Sequence, residues 1–466
     1  MSLHFYLLGI GGIGMSALAG LLKARGFQVS GSEGAPPSPP ASQVLKRLGL
    51  IPFCGWDPER LEKISPDYVV VGNAIRRDHP EVEAARRQGL PLLSLPETLK
   101  RFILPGKLPL VVAGTHGKTT TSALLAFVLE RLGQEPTFFL GGLLRDRELN
   151  FGSGEGPYAV VEGDEYDSAF FEKTPKFWHY RAFSAILTSL EYDHADIYPD
   201  LASLEAAFRT FVELLPEEGL LVFWGDADRL VRLAERSRAR RVSYGRSPKN
   251  TYRLLERTPF PRGQKVRFCG PQGEGTFDLP LYGEHNALNA LAVLALLVEL
   301  GLSPEEVARA LGEFCGVLRR QEILYQGRVT VVDDFAHHPT AVRETLLALK
   351  EAFSPRRIFL IFEPRTNTSR RRVFLSAYQE VLSLAEAVVL KPPPGLEKVP
   401  EAERLDLTAL ARGLEARGRR VGFLQNGVSD ILALEPSPGD LLVFMSSASF
   451  GKIYTDLVKA LKERGL

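Results

Sequence analysis

Cysteine is scarce in this chain, which has only three in 466 residues, at Cys54, Cys269 and Cys315. Their wide spacing matches no metal-binding pattern, and three thiols cannot all pair within one chain. Such usage is typical of proteins from a reducing compartment. The sequence therefore excludes a fold that depends on a disulfide framework.

A long apolar run and an excess of charge of one sign are also missing. No apolar stretch reaches the roughly 18 uninterrupted residues of a membrane-spanning helix, and no basic leader precedes the first strand-like run. Lys and Arg number 57 against 56 Asp and Glu, which gives a formal net charge of +1. This balance makes no electrostatic case for nucleic acid or an anionic membrane. We expect a cytoplasmic protein with neither a nucleic-acid nor a membrane partner.

Residues 108–124 carry the strongest functional signal, a short apolar run followed by a small-residue turn and an apolar helical pattern. Gly114 and Gly117 lack a Cβ and let several backbone N–H groups converge on a phosphate. Lys118 adds a mobile cation, and Thr119 adds a hydroxyl for Mg²⁺ at the helix start. The strict pattern G-x-x-x-x-G-K-[ST] is not met, because valine stands where that pattern has its first glycine. An ordinary turn is the alternative, but the sequence favours a nucleotide site.

A second glycine-rich loop lies near the N-terminus. Residues 9–14 read Gly-Ile-Gly-Gly-Ile-Gly, a literal G-x-G-x-x-G between a β-like run and a helical pattern. Glu33, after the next strand-like run, stands about where a ribose-binding acid falls in a Rossmann unit. An NAD(P) site is the first hypothesis, yet the same geometry accepts any diphosphate at a helix N-terminus. A tight turn without a ligand is the remaining alternative.

Two stretches rich in acids follow apolar strand-like runs in the middle of the chain. The first covers residues 162–168 and begins with Glu162, and the second covers residues 189–196 and contains His194. Acids placed just after parallel-type strands lie at the carboxyl edge of a sheet, beside the phosphate loop. Mg²⁺ prefers carboxylate oxygen, so Glu162 is a metal-ligand candidate, and His194 is a less usual one. A solvated turn is the alternative for any single acid.

Polar residues also stand at the start of later helices. His285 and Asn289 are four residues apart and share one face of an apolar helix, although a capping role for Asn289 is the alternative. The adjacent pair His337 and His338 follows a strand-like run. We favour hydrogen bonding over zinc for this pair, because neighbouring side chains point in different directions in most backbone conformations.

The alternation of strand-like and helical runs predicts an α/β fold in three units. We place them at residues 1–106, 107–318 and 319–466, with residues 102–109, which contain two prolines and a glycine, as the first linker. Residues 241–280 alternate β-like runs with turn signals, which predicts an antiparallel appendage to the second unit.

Taken in order, these motifs make the chain resemble the Mur ligases of bacterial cell-wall synthesis over essentially its whole length. The motifs that carry the resemblance lie at residues 9–16, 114–120, 162–167, 193–194, 283–289, 319–320 and 333–339. The resemblance is to the branch that acts on UDP-N-acetylmuramate. It implies a Rossmann-like N-terminal domain, a central P-loop ATPase-type domain and a Rossmann-like C-terminal domain. It also implies ATP and Mg²⁺, with an acyl phosphate formed on the substrate carboxylate before an amine attacks.

The resemblance further implies roles for individual residues. The expected ATP contacts are Gly114, Thr115, His116, Gly117, Lys118, Thr119, Thr120, His285, Asn289, Arg320 and Asp334. The expected UDP-sugar contacts are Gly11, Gly12, Ile13, Gly14, Met15, Ser16 and Asn73. Lys118, Glu162 and His194 are expected to be catalytic, and Thr119, Glu162 and His194 to hold Mg²⁺. Residues 195–248 contain no lysine, which excludes there the carbamylated lysine that several family members use.

Within this branch, the sequence resembles the members that attach a ready-made L-Ala-γ-D-Glu-diamino acid tripeptide more than those that add L-alanine. Residues 364–369 read Pro-Arg-Thr-Asn-Thr-Ser, where the alanine-adding members generally have a Pro-His-Arg-Tyr-Thr-Arg type of loop. A tripeptide carries carboxylates far from its amine, and a guanidinium pairs with carboxylate bidentately. Arg365, Arg370 and His337 are the candidate contacts to the amine substrate.

Two other functions remain as alternatives. An NAD-dependent dehydrogenase would use the loop at residues 9–14, but it leaves the second phosphate loop and the third unit unexplained. A non-catalytic nucleotide-binding module gives no reason for two carboxylate-rich stretches near Lys118.

Overall fold

The computed structural model describes residues 2–466, and its first sheet occupies the N-terminal part of the chain. Five parallel strands lie in the order β3-β2-β1-β4-β5, and the order reverses between β1 and β4, where an open α/β sheet binds ligands. The helices and strands of this unit are β1 (His4–Leu8), α1 (Ile13–Ala24), β2 (Gln28–Glu33), α2 (Ala41–Arg47), β3 (Phe53–Cys54), α3 (Arg60–Ile64), β4 (Tyr68–Val71), α4 (Pro80–Arg87), β5 (Leu92–Ser94) and α5 (Leu95–Thr98).

The central unit is built on a sheet of ten strands. Its order is β17-β16-β15-β14-β13-β12-β6-β9-β7-β8, and β6 lies between the parallel strands β12 and β9. The elements are β6 (Leu108–Ala113), α6 (Lys118–Arg131), β7 (Thr137–Leu144), β8 (Leu149–Gly152), β9 (Tyr158–Gly163), β10 (Asp167–Ala169), β11 (Glu172–Pro175), β12 (Ser184–Leu187), α7 (Leu201–Glu213), β13 (Leu220–Trp224), α8 (Asp228–Ala234), β14 (Arg240–Gly245), β15 (Tyr252–Phe260), β16 (Gly263–Gly270), β17 (Gly273–Leu279), α9 (Glu284–Glu299) and α10 (Pro304–Leu311). The strands β10 and β11 form a separate two-stranded sheet.

The third sheet has six strands in the order β18-β19-β23-β20-β21-β22. All neighbours are parallel except β18 and β19. The elements are β18 (Glu322–Gln326), β19 (Thr330–Asp334), α11 (Pro339–Phe353), β20 (Ile358–Glu363), α12 (Leu375–Val381), β21 (Ala387–Leu390), α13 (Leu407–Glu415), β22 (Arg420–Phe423), α14 (Val428–Leu432), β23 (Leu441–Ser446) and α15 (Lys452–Glu463).

The first and central units share one hydrophobic core. Helix α1 packs against β7 and β8, and a Cβ at Gly20 in this helix would lie 2.2 Å from the Phe151 ring. The absence of a side chain at Gly20 therefore permits the close approach. Asn150 Nδ2 adds a hydrogen bond to the Ile13 carbonyl, at 3.2 Å. The glycine loop after β1 is thus fixed to the central sheet.

The structure refines two local predictions. The predicted linker, residues 102–109, is shorter in the structure: the π-helix Leu99–Ile103 buries Ile103 and β6 begins at Leu108, so residues 104–107 make the connection. Residues 252–279 form the predicted antiparallel strands, since β15, β16 and β17 pair antiparallel and extend the central sheet through the pairing of β15 with β14.

No helix within residues 2–466 is long and apolar enough to cross a membrane. Helix α9, with 16 residues the longest within residues 2–466, is buried against the central sheet.

Candidate active site

The phosphate loop lies at the carboxyl end of β6 and leads directly into α6. Gly114 has φ +139° and Gly117 has φ +80°, backbone conformations that glycine adopts at little cost. A Cβ at Gly114 would lie 2.1 Å from Thr188 Oγ1, and one at Gly117 would lie 2.9 Å from Asn289 Oδ1. Both glycines are therefore required by the turn and by its neighbours.

Lys118, the first residue of α6, is held by a carboxylate to which the sequence assigned no role. Its Nζ donates to Glu165 Oε2 at 2.8 Å, to Glu165 Oε1 at 3.1 Å and to the Gly114 carbonyl at 2.6 Å. Burial lowers the pKa of Lys118, but the carboxylates of Glu165 and Asp164 outweigh it and raise this pKa above its ordinary value. Lys118 is therefore a positively charged side chain positioned beside the glycine loop.

Glu165 joins Lys118 to His194. His194 Nε2 lies 3.1 Å from Glu165 Oε1. Burial alone would raise the pKa of Glu165, but Lys118 and His194 lower it to about 2. Burial lowers the pKa of His194, and the hydrogen bond to Glu165 outweighs this effect and raises it. His194 also has φ +54°, a strained backbone of the kind that concentrates at functional sites.

Thr119 and Glu162 offer two oxygens that fit one Mg²⁺. Thr119 Oγ1 donates to Glu162 Oε1 at 2.7 Å, and Gly141 N donates to Glu162 Oε2 at 2.7 Å. Adjacent ligands of an octahedral Mg²⁺ with metal–oxygen distances of about 2.1 Å lie about 3 Å apart, close to the observed separation. Burial and the nearby Asp164 raise the pKa of Glu162, and a divalent cation would offset this cost.

Arg320 brings the third unit to the phosphate loop. Its Nη2 donates to Thr119 Oγ1 at 3.1 Å, and its guanidinium lies 4.6 Å from the centroid of the Phe335 ring. The flanking residues Arg319 and Gln321 have φ +61° and +48°. The connection between the units is thus strained on both sides of the arginine that reaches the loop.

A cavity of about 340 Å³ opens between the phosphate loop, α9 and α11. Seven of the predicted ATP contacts line it, namely His116, Gly117, Thr120, His285, Asn289, Arg320 and Asp334. Gly114, Thr115, Lys118 and Thr119 do not line this cavity but belong to the adjoining loop.

His285 and Asp334 give the cavity hydrogen-bonding groups in a buried setting. Burial and the nearby Arg257 lower the pKa of His285 to about 4, so the imidazole is neutral at pH 7. Its Nδ1 has no hydrogen-bond partner among residues 2–466. Asp334 accepts from the backbone N–H groups of Gln321 and Ala336, at 2.8 and 2.7 Å. The lining therefore suits a polar heterocycle linked to phosphates.

A cluster that the sequence did not predict joins the central and third units at the edge of this cavity. Glu191 Oε2 lies 3.2 Å from His116 Nε2 and 3.7 Å from His338 Nδ1, and it accepts from Thr340 Oγ1 at 2.6 Å. His116, Glu191 and His338 present possible ligand atoms within 4.8 Å of one another. Burial and the neighbouring His116 lower the pKa of His338 to about 4. His338 also accepts from Thr340 N at 3.3 Å, so this interface depends on neutral histidine.

A second cavity of about 750 Å³ lies over the glycine loop of the first unit. Six of the predicted UDP-sugar contacts line it, namely Gly11, Gly12, Ile13, Gly14, Met15 and Asn73. The prediction for Ser16 is corrected. This residue does not line the cavity, because its side chain is fully buried and its Oγ donates to the Ile13 carbonyl at 3.0 Å. Glu33, which the sequence placed near a ribose, accepts from Gly11 N at 3.0 Å.

The predicted amine contacts have different environments. Arg365 is 40% exposed, and its Nη1 lies 3.5 Å from Glu363 Oε1. The prediction that Arg370 contacts the amine substrate is corrected, because its guanidinium already has partners within the chain. It donates to the carbonyls of Thr366, Pro394 and Gly395 and to Asn367 Oδ1. His337 is likewise engaged, since its Nδ1 lies 3.0 Å from the Phe335 carbonyl.

The loop that carries Arg365 is docked on the loop that carries His194. Ala195 N donates to Thr368 Oγ1 at 3.1 Å, and Asn367 Nδ2 donates to Asp196 Oδ2 at 2.6 Å. Lys391, which the sequence analysis did not single out, lies with its Nζ 3.3 Å from Glu363 Oε1 and adds a second cation beside Arg365. The sequence signal that could have identified Lys391 is its position directly after β21, because β21 is parallel to β20 and both strands end at the same edge of the sheet.

These features define an α/β enzyme with a phosphate loop, an adjacent acid–histidine cluster and a second glycine-lined cavity. Residues 4–105 match the Mur ligase family, catalytic domain, residues 112–297 match the Mur ligase middle domain, and residues 319–448 match the Mur ligase, glutamate ligase domain. The chain belongs to the Mur ligase family. It is therefore an ATP-dependent ligase that forms a C–N bond, and the predicted family and fold class are confirmed.

Relatives with two different amine substrates are similar over the full chain. The UDP-N-acetylmuramate–L-alanyl-γ-D-glutamyl-meso-2,6-diaminoheptandioate ligase of Escherichia coli is 34% identical, with 99% of each chain covered. A murein peptide ligase structure from Psychrobacter arcticus has a TM-score of 0.75 at 30% identity, again over 99% of each chain. The UDP-N-acetylmuramate-alanine ligase MurC of Thermotoga maritima has a TM-score of 0.80 at 28% identity and the same coverage.

Proposed function

We propose that this Mur ligase joins the lactyl carboxylate of UDP-N-acetylmuramate to the amine of an L-Ala-γ-D-Glu-diamino acid tripeptide, as in peptidoglycan recycling. The name of the E. coli relative gives the same pair of substrates. The observation that carries the proposal is the docking of the Arg365 loop on residues 195–196, next to His194. A peptide bound by this loop would have its amine beside the phosphate loop and its carboxylates beside fixed cations.

The reaction needs activation, because a carboxylate is unreactive toward amines in water. ATP would phosphorylate the lactyl carboxylate to an acyl phosphate, and the peptide amine would displace phosphate through a tetrahedral intermediate. Such phosphoryl transfer depends mostly on positioning and charge neutralisation. Lys118 would contact the β and γ phosphates once the nucleotide competes with Glu165 for its ammonium group. Arg320, which already reaches Thr119, would add a second positive charge.

Mg²⁺ would neutralise phosphate charge when bound, and the residues present fit it. Thr119 and Glu162 would hold one ion, since their oxygens are 2.7 Å apart. His194 would serve a second ion with the phosphates and substrate, because residues 195–248 contain no lysine that could be carbamylated. His285 and Asn289 would contact the adenine and Asp334 the ribose, in the cavity that they line.

The three units take separate roles in this proposal. We assign UDP-sugar binding to residues 1–106, ATP binding to residues 107–318 and amine binding to residues 319–466. The backbone at residues 11–15 would hold the diphosphate at the N-terminus of α1.

Arg365 provides the test of the amine site. Replacing Arg365 by Ala should raise KM for the tripeptide about tenfold or more and leave KM for ATP unchanged, because a guanidinium–carboxylate pair is removed. Arg417→Ala is the matched control. Arg417 lies just before β22, at the amino end of the parallel strands, whereas Arg365 follows β20 at their carboxyl end. Steady-state kinetics with varied tripeptide measures the effect. An unchanged KM for the peptide would remove Arg365 from the site.

The second candidate is UDP-N-acetylmuramate–L-alanine ligase activity. The similarity to the T. maritima alanine ligase supports it, since the TM-score there is 0.80. L-alanine carries its single carboxylate next to its amine and would not need a cation as distant as Arg365. Comparison of the two amines as substrates separates the candidates.

A further inference from the structure

The larger cavity has two lining residues from outside the first unit. Among residues 2–466, Tyr166 and Lys176 are the lining residues that come from the central unit, and the others lie within residues 9–95. Lys176 begins the short 3₁₀ helix Lys176–Trp178 and is 7% exposed. Its Nζ lies 3.1 Å from Asp164 Oδ2 and 4.1 Å from the centroid of the Tyr166 ring. A cation thus lines a cavity whose other walls are mainly the glycine loop, the proline-rich residues 35–40 and the loop at residues 72–75.

The side of the cavity that Tyr166 and Lys176 line lies near His194, which is bonded to Glu165 beside the phosphate loop. The Tyr166 ring centroid lies 5.4 Å from that of His194, and Asp164 is two residues after the metal-ligand candidate Glu162. Backbone hydrogen bonds fix the arrangement, since Lys176 N donates to the Tyr166 carbonyl and Phe177 N to the Asp164 carbonyl, each at 3.2 Å. Tyr166 and Lys176 therefore stand between the sugar-nucleotide cavity and the site where ATP would react.

A substrate that reacts through a carboxylate must bring that group past these two residues. If its diphosphate is held at residues 11–15, the opposite end of the molecule is the part that reaches the central unit. An ammonium group has three N–H donors, and the structure uses one of them for Asp164. The remaining donors can bind an anionic oxygen in the cavity. A nearly buried ammonium is costly unless it is paired, and Asp164 supplies that pair.

We propose that Lys176 is a specificity-determining residue that binds the carboxylate of the sugar nucleotide next to the Tyr166 ring, on the side of the cavity nearest His194. This inference rests on the proposed function. The ligand class is a UDP-linked N-acetylhexosamine that carries a carboxylate. Asp164 orients the ammonium group, and Lys176 distinguishes the acid-bearing sugar from a neutral sugar of the same size class.

Two ligands that share the nucleotide and the N-acetylhexosamine test the proposal. UDP-N-acetylmuramate carries the lactyl carboxylate and UDP-N-acetylglucosamine lacks it. In calorimetric titrations, Lys176→Met should weaken binding of UDP-N-acetylmuramate about ten- to 100-fold and leave binding of UDP-N-acetylglucosamine within about twofold of wild type. Lys176→Arg, which keeps the charge, should retain most of the preference. A merely structural lysine would not change the ratio of the two affinities.

A second variant guards against misfolding caused by an unpaired Asp164. The double variant Asp164→Asn/Lys176→Met removes both charges and should show the same loss of preference for the acid-bearing ligand. Equal losses for both ligands, or no loss for either, would overturn the proposal. A wild-type protein that fails to bind UDP-N-acetylmuramate would instead overturn the proposed function, which is a distinguishable result.

Discussion

Replacing Glu165 by Gln should destabilise the central unit by about 3 kcal/mol at pH 6. Glu165 is buried and bonded to both Lys118 and His194, and its pKa is lowered from 4.5 to about 2. Each unit of pKa difference between the folded and unfolded states corresponds to about 1.4 kcal/mol of stability. The variant also leaves the buried Lys118 without its charged partner, which is itself strongly destabilising.

The pH dependence of this difference has a definite sign. The pKa of Glu165 is lowered, so its contribution is present above pH 4.5 and is lost as the pH falls toward 2. The pKa of His194 is raised, so its contribution is present below pH 6.5 and is lost as the pH rises through the raised value. The difference between wild type and Glu165→Gln should therefore be largest between about pH 4.5 and 6.5.

Urea unfolding followed by tryptophan fluorescence measures this difference in the central unit. Trp56 lies in the first unit, whereas Trp178 and Trp224 lie in the central one, so a Trp56→Phe background reports the central unit. Glu205→Gln is the matched control, because its ion pair with Arg229 is partly exposed and should contribute less than about 1 kcal/mol. Equal midpoints for Glu165→Gln and wild type at pH 6, or a difference that stays constant from pH 6 to 3, would refute this reasoning.

Three further substitutions separate the two nucleotide sites. Lys118→Ala should fold and lose about 100-fold or more in turnover, because a cation on the phosphates is removed; unchanged phosphate release would contradict its role. Gly12→Val should weaken UDP-sugar binding in calorimetry and spare ATP. A Cβ at Gly12 would have no contact closer than 3.6 Å, so the chain tolerates it, and the valine methyl groups would occupy space in the cavity that Gly12 lines. The opposite pattern would reverse the roles of the first two units. Gly117→Ala should weaken ATP binding, since φ is +80° and a Cβ would lie 2.9 Å from Asn289 Oδ1; wild-type affinity would show that the loop adapts.

The phosphate loop was predictable because its requirements are local. The glycines, Lys118 and the helix start lie within a few residues of one another, and the structure places them as a strand, loop and helix. The same applies to Glu162, which lies near the end of β9 and pairs with Val112 of β6. Parallel strands end at one edge of the sheet, so the order of strand and acid in the sequence was enough to bring Glu162 near the loop.

Features that depend on distant partners were not predictable. Arg370 reads as a free cation, yet its acceptors at Pro394 and Gly395 lie 24 and 25 residues away. The strand β15 joins the central sheet through two residue pairs with β14, which its alternating pattern cannot reveal. Lys176 reaches a cavity formed by the first unit, and Glu191 contacts Thr340 of the third. Such contacts follow from the packing of the three units rather than from local sequence.

The most direct measurement is phosphate release by the purified protein with ATP, Mg²⁺ and UDP-N-acetylmuramate, with either tripeptide or L-alanine as the amine. We expect rapid release with L-Ala-γ-D-Glu-diamino acid and little with L-alanine, and mass spectrometry should identify the UDP-N-acetylmuramoyl tripeptide as the product. Release that is driven equally well by L-alanine would contradict the proposed amine and assign the enzyme to the alanine-adding ligases.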